Sequence, residues 1–365
     1  MRSLLIPTIS VLFGLCVTVA AQDASSPTVD PGPGFKRLDR NGDGELDIQE
    51  MPRKELLNLY DNDGDGFVTP SEISATKARQ TRTQVNGSFK KLGIVAHYDI
   101  RYGSTDGIEA ARQSLDVYMH PQFKNAPVIL FFHGGGWRRG DKLAAHQKPI
   151  GFVPEGYLFV SANYRFRPQA TLDEMMEDCA AAVKWIDDHA DEYGGDANRI
   201  FLFGHSAGAH LATLLATDHR HLKAAGIDPG VIRGAVPLDM GFYDVAVAAR
   251  TAWAASRKEM IDIVFGDDQK QWSRFSPITY VESDRSIPSF LVVMQDGRGD
   301  ARLQAIPFVE RLKKAGFDAE LYEAKGRDHG SLNRVLGTQD DPTTHKVLRF
   351  LNANHSAQDR PLKSK

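Results

Sequence analysis

The sequence predicts an α/β protein: a mainly parallel sheet flanked by helices, preceded by a small helical module. Three observations carry this. From about residue 91, strand-like apolar runs alternate with stretches of helical periodicity. Two of those runs, 128–132 (VILFF) and 157–162 (YLFVSA), are almost continuously apolar, as strands covered on both faces must be. Ahead of them lies an acid-rich stretch with a repeated pattern of its own.

The elements follow in order. Residues 114–119 (SLDVYM) alternate like a strand, and VILFF and YLFVSA supply the next two. Residues 172–189 place Met175, Met176, Cys179, Ala182, Val183 and Ile186 at helical spacing. Residues 199–204 (RIFLFG) read as a strand, 206–217 as a helix and 231–238 as a strand. A strand at 288–294 (PSFLVVM), a helix at 303–315, a strand at 317–323 and a last helix at 343–352 complete the series. The pattern breaks over 240–277, where Phe242, Tyr243, Trp253 and Trp272 could line a pocket or pack a lid.

With 365 residues, the chain is long enough for two domains and a sizeable core. A net charge of −3 excludes a general nucleic-acid binder, which needs a basic face. Two cysteines exclude a disulfide scaffold. Arg2, the apolar stretch 4–19 and the small residues Val19-Ala20-Ala21 read as a signal peptide over 1–21. Export to the periplasm or the extracellular space is therefore expected. Leu15 before Cys16 argues against a lipoprotein, which wants a small residue there. No later segment reaches spanning length, so no membrane span is expected after cleavage. Cys179 is then left as a single, buried thiol. Residues 22–34 read as a Pro/Gly/Ser-rich linker, 35–80 as the first module, 82–90 (RTQVNGSFK) as a second junction, and 91–355 as a catalytic domain able to fold alone.

The repeated pattern is D-x-[DN]-x-[DN]-G-x5-E, the EF-hand calcium loop. It occurs as DRNGDGELDIQE over 39–50 and as DNDGDGFVTPSE over 61–72. Calcium takes six to eight hard oxygens. Asp39, Asn41, Asp43, the Glu45 carbonyl, Asp47 through water and Glu50 would supply them in the first loop. Asp61, Asp63, Asp65, the Phe67 carbonyl, Thr69 and Glu72 would do so in the second. Gly44 and Gly66 permit the sharp turn. Leu46 and Val68 are placed to join the loops as a short ladder. Only 51–60 separates the loops, so they must share one short helix. Ten acids against five bases over 35–73 repel one another, and calcium would relieve that. The metal is expected to be structural, with no cofactor in the chemistry.

Gly204-His205-Ser206-Ala207-Gly208 is a G-x-S-x-G elbow between a strand and a helix. Such a turn presents the serine hydroxyl at the sheet edge. The Ala207 N–H then faces the developing oxyanion. His133-Gly134-Gly135-Gly136-Trp137 follows VILFF, where glycines can turn N–H groups inward, so Gly134, Gly135 and Gly136 join Ala207 in the expected oxyanion hole. A serine needs a base. His329, in the loop after the strand at 317–323, is preferred over His345 in a helix and His355 in the tail. The acid should follow the strand at 288–294. Asp296 and Asp300 both qualify, and Asp300 is preferred because it sits further out on the loop. Asp328 reads as solvated, His205 and His210 as structural, and Trp137 as either pocket wall or core.

LDVYM, FFHGGGWRRGDK, SANYR, RIFLFGHSAGAHLA, DGRGD, LKKAG and KGRDHGSLN together make residues 91–352 resemble the α/β-hydrolase fold. More closely, the chain resembles the hormone-sensitive-lipase-like and carbohydrate-esterase-like carboxylesterases. The compact loop pair resembles the calcium modules of secreted bacterial proteins. The resemblance implies a serine esterase with Ser206, His329 and Asp300 as its triad. The acid loop departs from the commoner HGxxD form, with Asp296 where the histidine usually stands. An arylformamidase is the alternative, though that group tends to carry Tyr where this chain has Gly136. A calcium-dependent binding protein on an inactive scaffold is the alternative of another class. The implied substrate is a small or polysaccharide-linked ester, with acetyl or feruloyl groups foremost.

Overall fold

The computed structural model describes residues 32–251, 255–283 and 285–355. The expected signal peptide, most of the linker, Trp253 and the tail from residue 356 lie outside them.

Helices α1 (Gly32–Leu38) and α2 (Lys54–Tyr60) precede and separate the two acidic loops, and α3 (Pro70–Lys91) follows the second. The two loops meet at Leu46 and Val68, whose backbone N–H groups donate to each other's carbonyls at 3.0 Å. Both side chains are buried with Phe35 and Met51 in a small core of their own. The shared helix and the ladder are thus as expected.

The junction expected at 82–90 is not a junction. α3 runs unbroken for 22 residues, started by a Thr69–Glu72 capping box and Pro70. Asn86-Gly87 looks like a helix breaker, and a glycine costs a helix about 1 kcal/mol. Tertiary packing outweighs that. Phe89 is buried in the hydrolase core with Val85 beside it. The Arg82 guanidinium reaches Asp99 at 2.7 Å and the fully buried Asp116 at 3.5 Å.

The sheet has eight strands: β1 (Val95–Arg101), β2 (Ser114–Met119), β3 (Ala126–Phe132), β4 (Leu158–Ala162), β5 (Gly195–His205), β6 (Ile232–Leu238), β7 (Ser289–Gln295) and β8 (Ala319–Ala324). Their order is β1-β2-β4-β3-β5-β6-β7-β8. β1 and β2 pair antiparallel, as do β2 and β4, and every pairing from β4 onward is parallel. β1 escaped the sequence reading because it is an edge strand with no fully buried residue. Side chains alternate across a strand. Hence Val128, Leu130 and Phe132 of β3 enter one core, and Ile129 and Phe131 enter the other.

Helices α4 (Lys148–Phe152), α5 (Leu172–His189), α6 (Ala207–Thr217) and α7 (Arg220–Ala224) belong to the first half of the sheet. The short helices α8 (Val245–Arg250), α9 (Ala255–Phe265) and α10 (Gln269–Trp272) fill the region where the sequence pattern broke. α11 (Gly299–Lys314), α12 (His329–Val335) and α13 (Pro342–His355) complete the chain. α5, α6 and α11 cover one face; α3, α4, α12 and α13 cover the other. Among the described residues, no helix is long and apolar enough to cross a membrane.

Candidate active site

β5 ends in the tight turn that the G-x-S-x-G spacing requires. Ser206 sits in the left-handed region, at φ 54°, before α6 begins at Ala207. Such strain in a residue with a side chain marks a functional turn. A Cβ on Gly204 would lie 2.2 Å from the Gly208 carbonyl oxygen, and one on Gly208 would lie 2.1 Å from that of Phe132. Glycine is therefore compulsory at both ends. The Ser206 N–H donates to the Leu238 carbonyl at 2.9 Å, which ties the elbow to β6.

The glycine loop after β3 folds against this elbow. Gly134 packs so closely that a Cβ there would lie 3.1 Å from Ser206 Cβ. The His133 ring stacks on Tyr164 and donates from Nδ1 to the Gly134 carbonyl at 2.8 Å. Asn163 anchors the far end of the loop. Its Oδ1 accepts from the Lys142 N–H at 2.6 Å, and its Nδ2 donates to Asp141 at 3.0 Å. Trp137 fills both roles left open for it: it is buried, packs edge-on to His210, Phe242 and Phe265, and also lines the cleft.

The cleft holds about 380 Å³ and is lined by Ser206, His329, Gly136 and Ala207 together with Trp137, Met240, Phe242 and Met260. Among the four aromatics expected near it, Phe242 lines it. Tyr243 instead stacks on Phe308, and the Trp272 indole donates to the Gly266 carbonyl at 2.8 Å.

His329 opens α12, whose cap is Asp328. Its Nδ1 meets a carboxylate oxygen at 2.5 Å, but that carboxylate is Asp239, not Asp300. This corrects the expected acid. Asp239 follows β6 directly, is fully buried, and takes a φ of 50° that turns its side chain back. Asp300 lies in the first turn of α11, which starts at Gly299, earlier than the sequence suggested. It is therefore not on an open loop, and it pairs with Arg298 at 3.0 Å. Asp296 accepts from the Gly326 N–H at 3.2 Å. Asp239 stands at the carboxyl end of β6, beside the strand that carries Ser206, but Asp296 and Asp300 also follow a parallel strand, so position along the sequence did not single it out.

Burial alone would push the Asp239 carboxyl up. The hydrogen bond from His329, the Arg298 guanidinium and the Gln295 N–H at 3.1 Å outweigh it and hold the group below the usual carboxylate range. It stays ionised and acceptor-only. The His205 ring lies tilted against that of His329, with centroids 4.5 Å apart, and donates from Nε2 to the His329 carbonyl at 2.9 Å. Burial, then the neighbouring His329, push His205 down to about 3, so it is neutral packing that fixes the His329 backbone. His210 is likewise structural, bonded to the Phe275 carbonyl.

In the first acidic loop, carboxylate oxygens of Asp39, Asp43 and Glu50 converge within 4.8 Å of one another, and in the second those of Asp61, Asp63 and Asp65 do. Gly44 and Gly66 take φ of 89° and 93° at the turns. Glu72 lies back from its group, its oxygens accepting from the Asn62 and Thr69 N–H groups. Convergent carboxylates on a left-handed glycine turn are a donor set that fits calcium.

Strand order, elbow and cleft define an α/β hydrolase. The BD-FAE family matches residues 115–302, more than half of the chain, and the chain belongs to that family. An EF-hand family matches 34–52 and 54–75. Esterase LipC of Mycobacterium tuberculosis is 27% identical over 308 residues, covering 80% of this chain and 74% of that protein. Kynurenine formamidase of Danio rerio is 24% identical over 309 residues, covering 84% and 96%. Other curated relatives are longer: the chain spans 57% and 56% of two esterases that it also matches. A truncated carbohydrate esterase from gut microbiota shares the fold at a TM-score of 0.60 and 19% identity, over 72% of this chain and 96% of that one. The protein is a carboxylic-ester hydrolase.

Proposed function

We propose that the protein is an exported serine esterase whose triad is Ser206, His329 and Asp239, carried on a chain with a calcium-binding module. The 2.5 Å contact between His329 Nδ1 and Asp239, in the cleft that also presents Ser206, carries this reading. With Nδ1 donating to Asp239, Nε2 is left to take the Ser206 proton as Oγ attacks the acyl carbon. The oxyanion is held by the Ala207 N–H at the start of α6 and by N–H groups of Gly134, Gly135 and Gly136. Collapse expels the alcohol, which takes the proton back from His329. Water then attacks the acyl-enzyme with the same base. The experiment is Ser206→Ala, which is expected to leave under about a hundredth of the wild-type rate in a folded protein. More than that would remove Ser206 from the chemistry.

The substrate proposed is an acetyl or feruloyl ester on a polysaccharide. The apolar walls of Trp137, Met240, Phe242 and Met260 suit a short or aromatic acyl group, and the carbohydrate-esterase fold neighbour agrees. A second reading, hydrolysis of an N-formyl amide, is favoured by the near-complete span of the formamidase relative. One panel separates them: acetyl, butyryl and long-chain esters, a feruloyl ester and an N-formyl anilide. Turnover confined to the anilide would replace the esterase reading.

Calcium, when bound, would relieve the repulsion among the carboxylates. Asp39, Asn41, Asp43, Glu45, Asp47 and Glu50 would hold one ion, and Asp61, Asp63, Asp65, Phe67, Thr69 and Glu72 a second. No step of ester hydrolysis passes through them. An apparent signal peptide at 1–21 supports export to the periplasm or beyond.

A further inference from the structure

Arg298 stands between two carboxylates. Its Nε and Nη2 donate to the two oxygens of Asp300 at 3.0 and 3.2 Å. Its Nη1 donates to Asp239 Oδ2 at 2.8 Å and to the Asp239 carbonyl at 3.3 Å. Asp239 Oδ2 is the same oxygen that His329 Nδ1 meets. One lone-pair-rich atom therefore serves both the base and the arginine. Nη1 and Nδ1 lie 3.4 Å apart. Both donate to Asp239, so this is a close approach of two donors, not a bond between them.

A fixed cation at that distance opposes the positive charge that His329 acquires when it takes the serine proton. Asp300, locked on the far side of the guanidinium, offsets the cation. We propose that Arg298 is a positioning residue for the hydrolysis. It fixes the triad carboxylate through the shared oxygen and restrains imidazolium formation, and Asp300 sets how strongly. This rests on the Ser206–His329–Asp239 reading.

The other groups facing this cluster are neutral or committed elsewhere. His205, from β5, donates to the His329 carbonyl. Tyr243, after β6, is buried with its phenol pushed up by burial. Asp296, after β7, holds the Gly326 N–H, and Glu323 of β8 takes the Gly297 N–H and pairs with Arg302. Arg327 pairs with Asp341. Lys148 is fully buried and donates to Asn333.

The test is the pH dependence of kcat/KM on 4-nitrophenyl acetate for the full-length wild type, Arg298→Gln, Arg298→Lys and Asp300→Asn, with Ser206→Ala as the blank. Arg298→Gln should move the acidic limb to higher pH by about one unit, a tenfold change in proton affinity. Asp300→Asn leaves the cation unopposed and should move the limb to lower pH. Arg298→Lys keeps the charge without the fork; its limb should stay near wild type while kcat falls. A merely structural arginine would lower kcat without moving either limb. Unmoved limbs, or limbs that move the same way in Arg298→Gln and Asp300→Asn, overturn the proposal. Should Arg298→Gln fail to fold, the sign of the Asp300→Asn shift decides it. A wild type no faster than the Ser206→Ala blank would instead sink the triad reading.

Discussion

At the scale of single residues, two non-glycine residues in the left-handed region frame the chemistry: Ser206 at φ 54° and Asp239 at φ 50°. The first was legible because the elbow writes its strain into neighbouring glycines. The glycine loop was legible for the same reason: a Cβ on Gly135 would lie 1.7 Å from the Arg139 carbonyl oxygen. His329 was legible from its place after β8. The acid was not. Asp239, Asp296 and Asp300 all follow sheet strands, and only tertiary packing decides which carboxylate meets the imidazole. A His329→Ala variant removes the base and should lower kcat by a hundredfold or more, on the order of the general-base contribution. A rate within tenfold of wild type would show that another group takes the proton.

At the scale of elements, periodicity located the strands of the hydrolase except the edge strand β1, and its helices α5, α6, α11 and α13. The short helices α4, α7, α8, α10 and α12 carry too few turns to show a period, and α9 lies where the sequence pattern breaks. The main departure from expectation was α3, which runs through the junction expected at 82–90. The helix holds because Phe89 and Val85 find the hydrolase core and Arg82 finds Asp99 and Asp116. Arg82 acts as a tether: with Asp99 and Lys142 it surrounds the buried Asp116 with charge. Phe89→Ala should therefore destabilise the catalytic domain by about 3 kcal/mol or more, as large-to-small core changes do, and a denaturant midpoint reads it. A loss below about 1 kcal/mol would restore the junction.

At the scale of the whole molecule, one helix starts at a calcium-type loop and ends in the hydrolase core, so the two modules share a strut. A fragment starting near Lys90, expected from the sequence to fold alone, would lose Phe89 and the Arg82 tether. A fragment starting near Pro70 keeps both and should retain small-ester activity without calcium; the Lys90 fragment should be much less stable. Chelation of the full chain should increase proteolysis within residues 35–73 while kcat on a small ester stays within about twofold, under roughly 0.5 kcal/mol on the barrier. Activity that collapses with chelator and returns with calcium would mean that the strut reaches the chemistry. The central claim is the acid after β6, and kcat/KM of Asp239→Asn against Asp300→Asn on one small ester tests it most directly. Asparagine at the true acid favours the wrong histidine tautomer and costs on the order of 10⁴-fold. That loss is expected for Asp239→Asn, with less than about tenfold for Asp300→Asn; the reverse ranking would contradict the account.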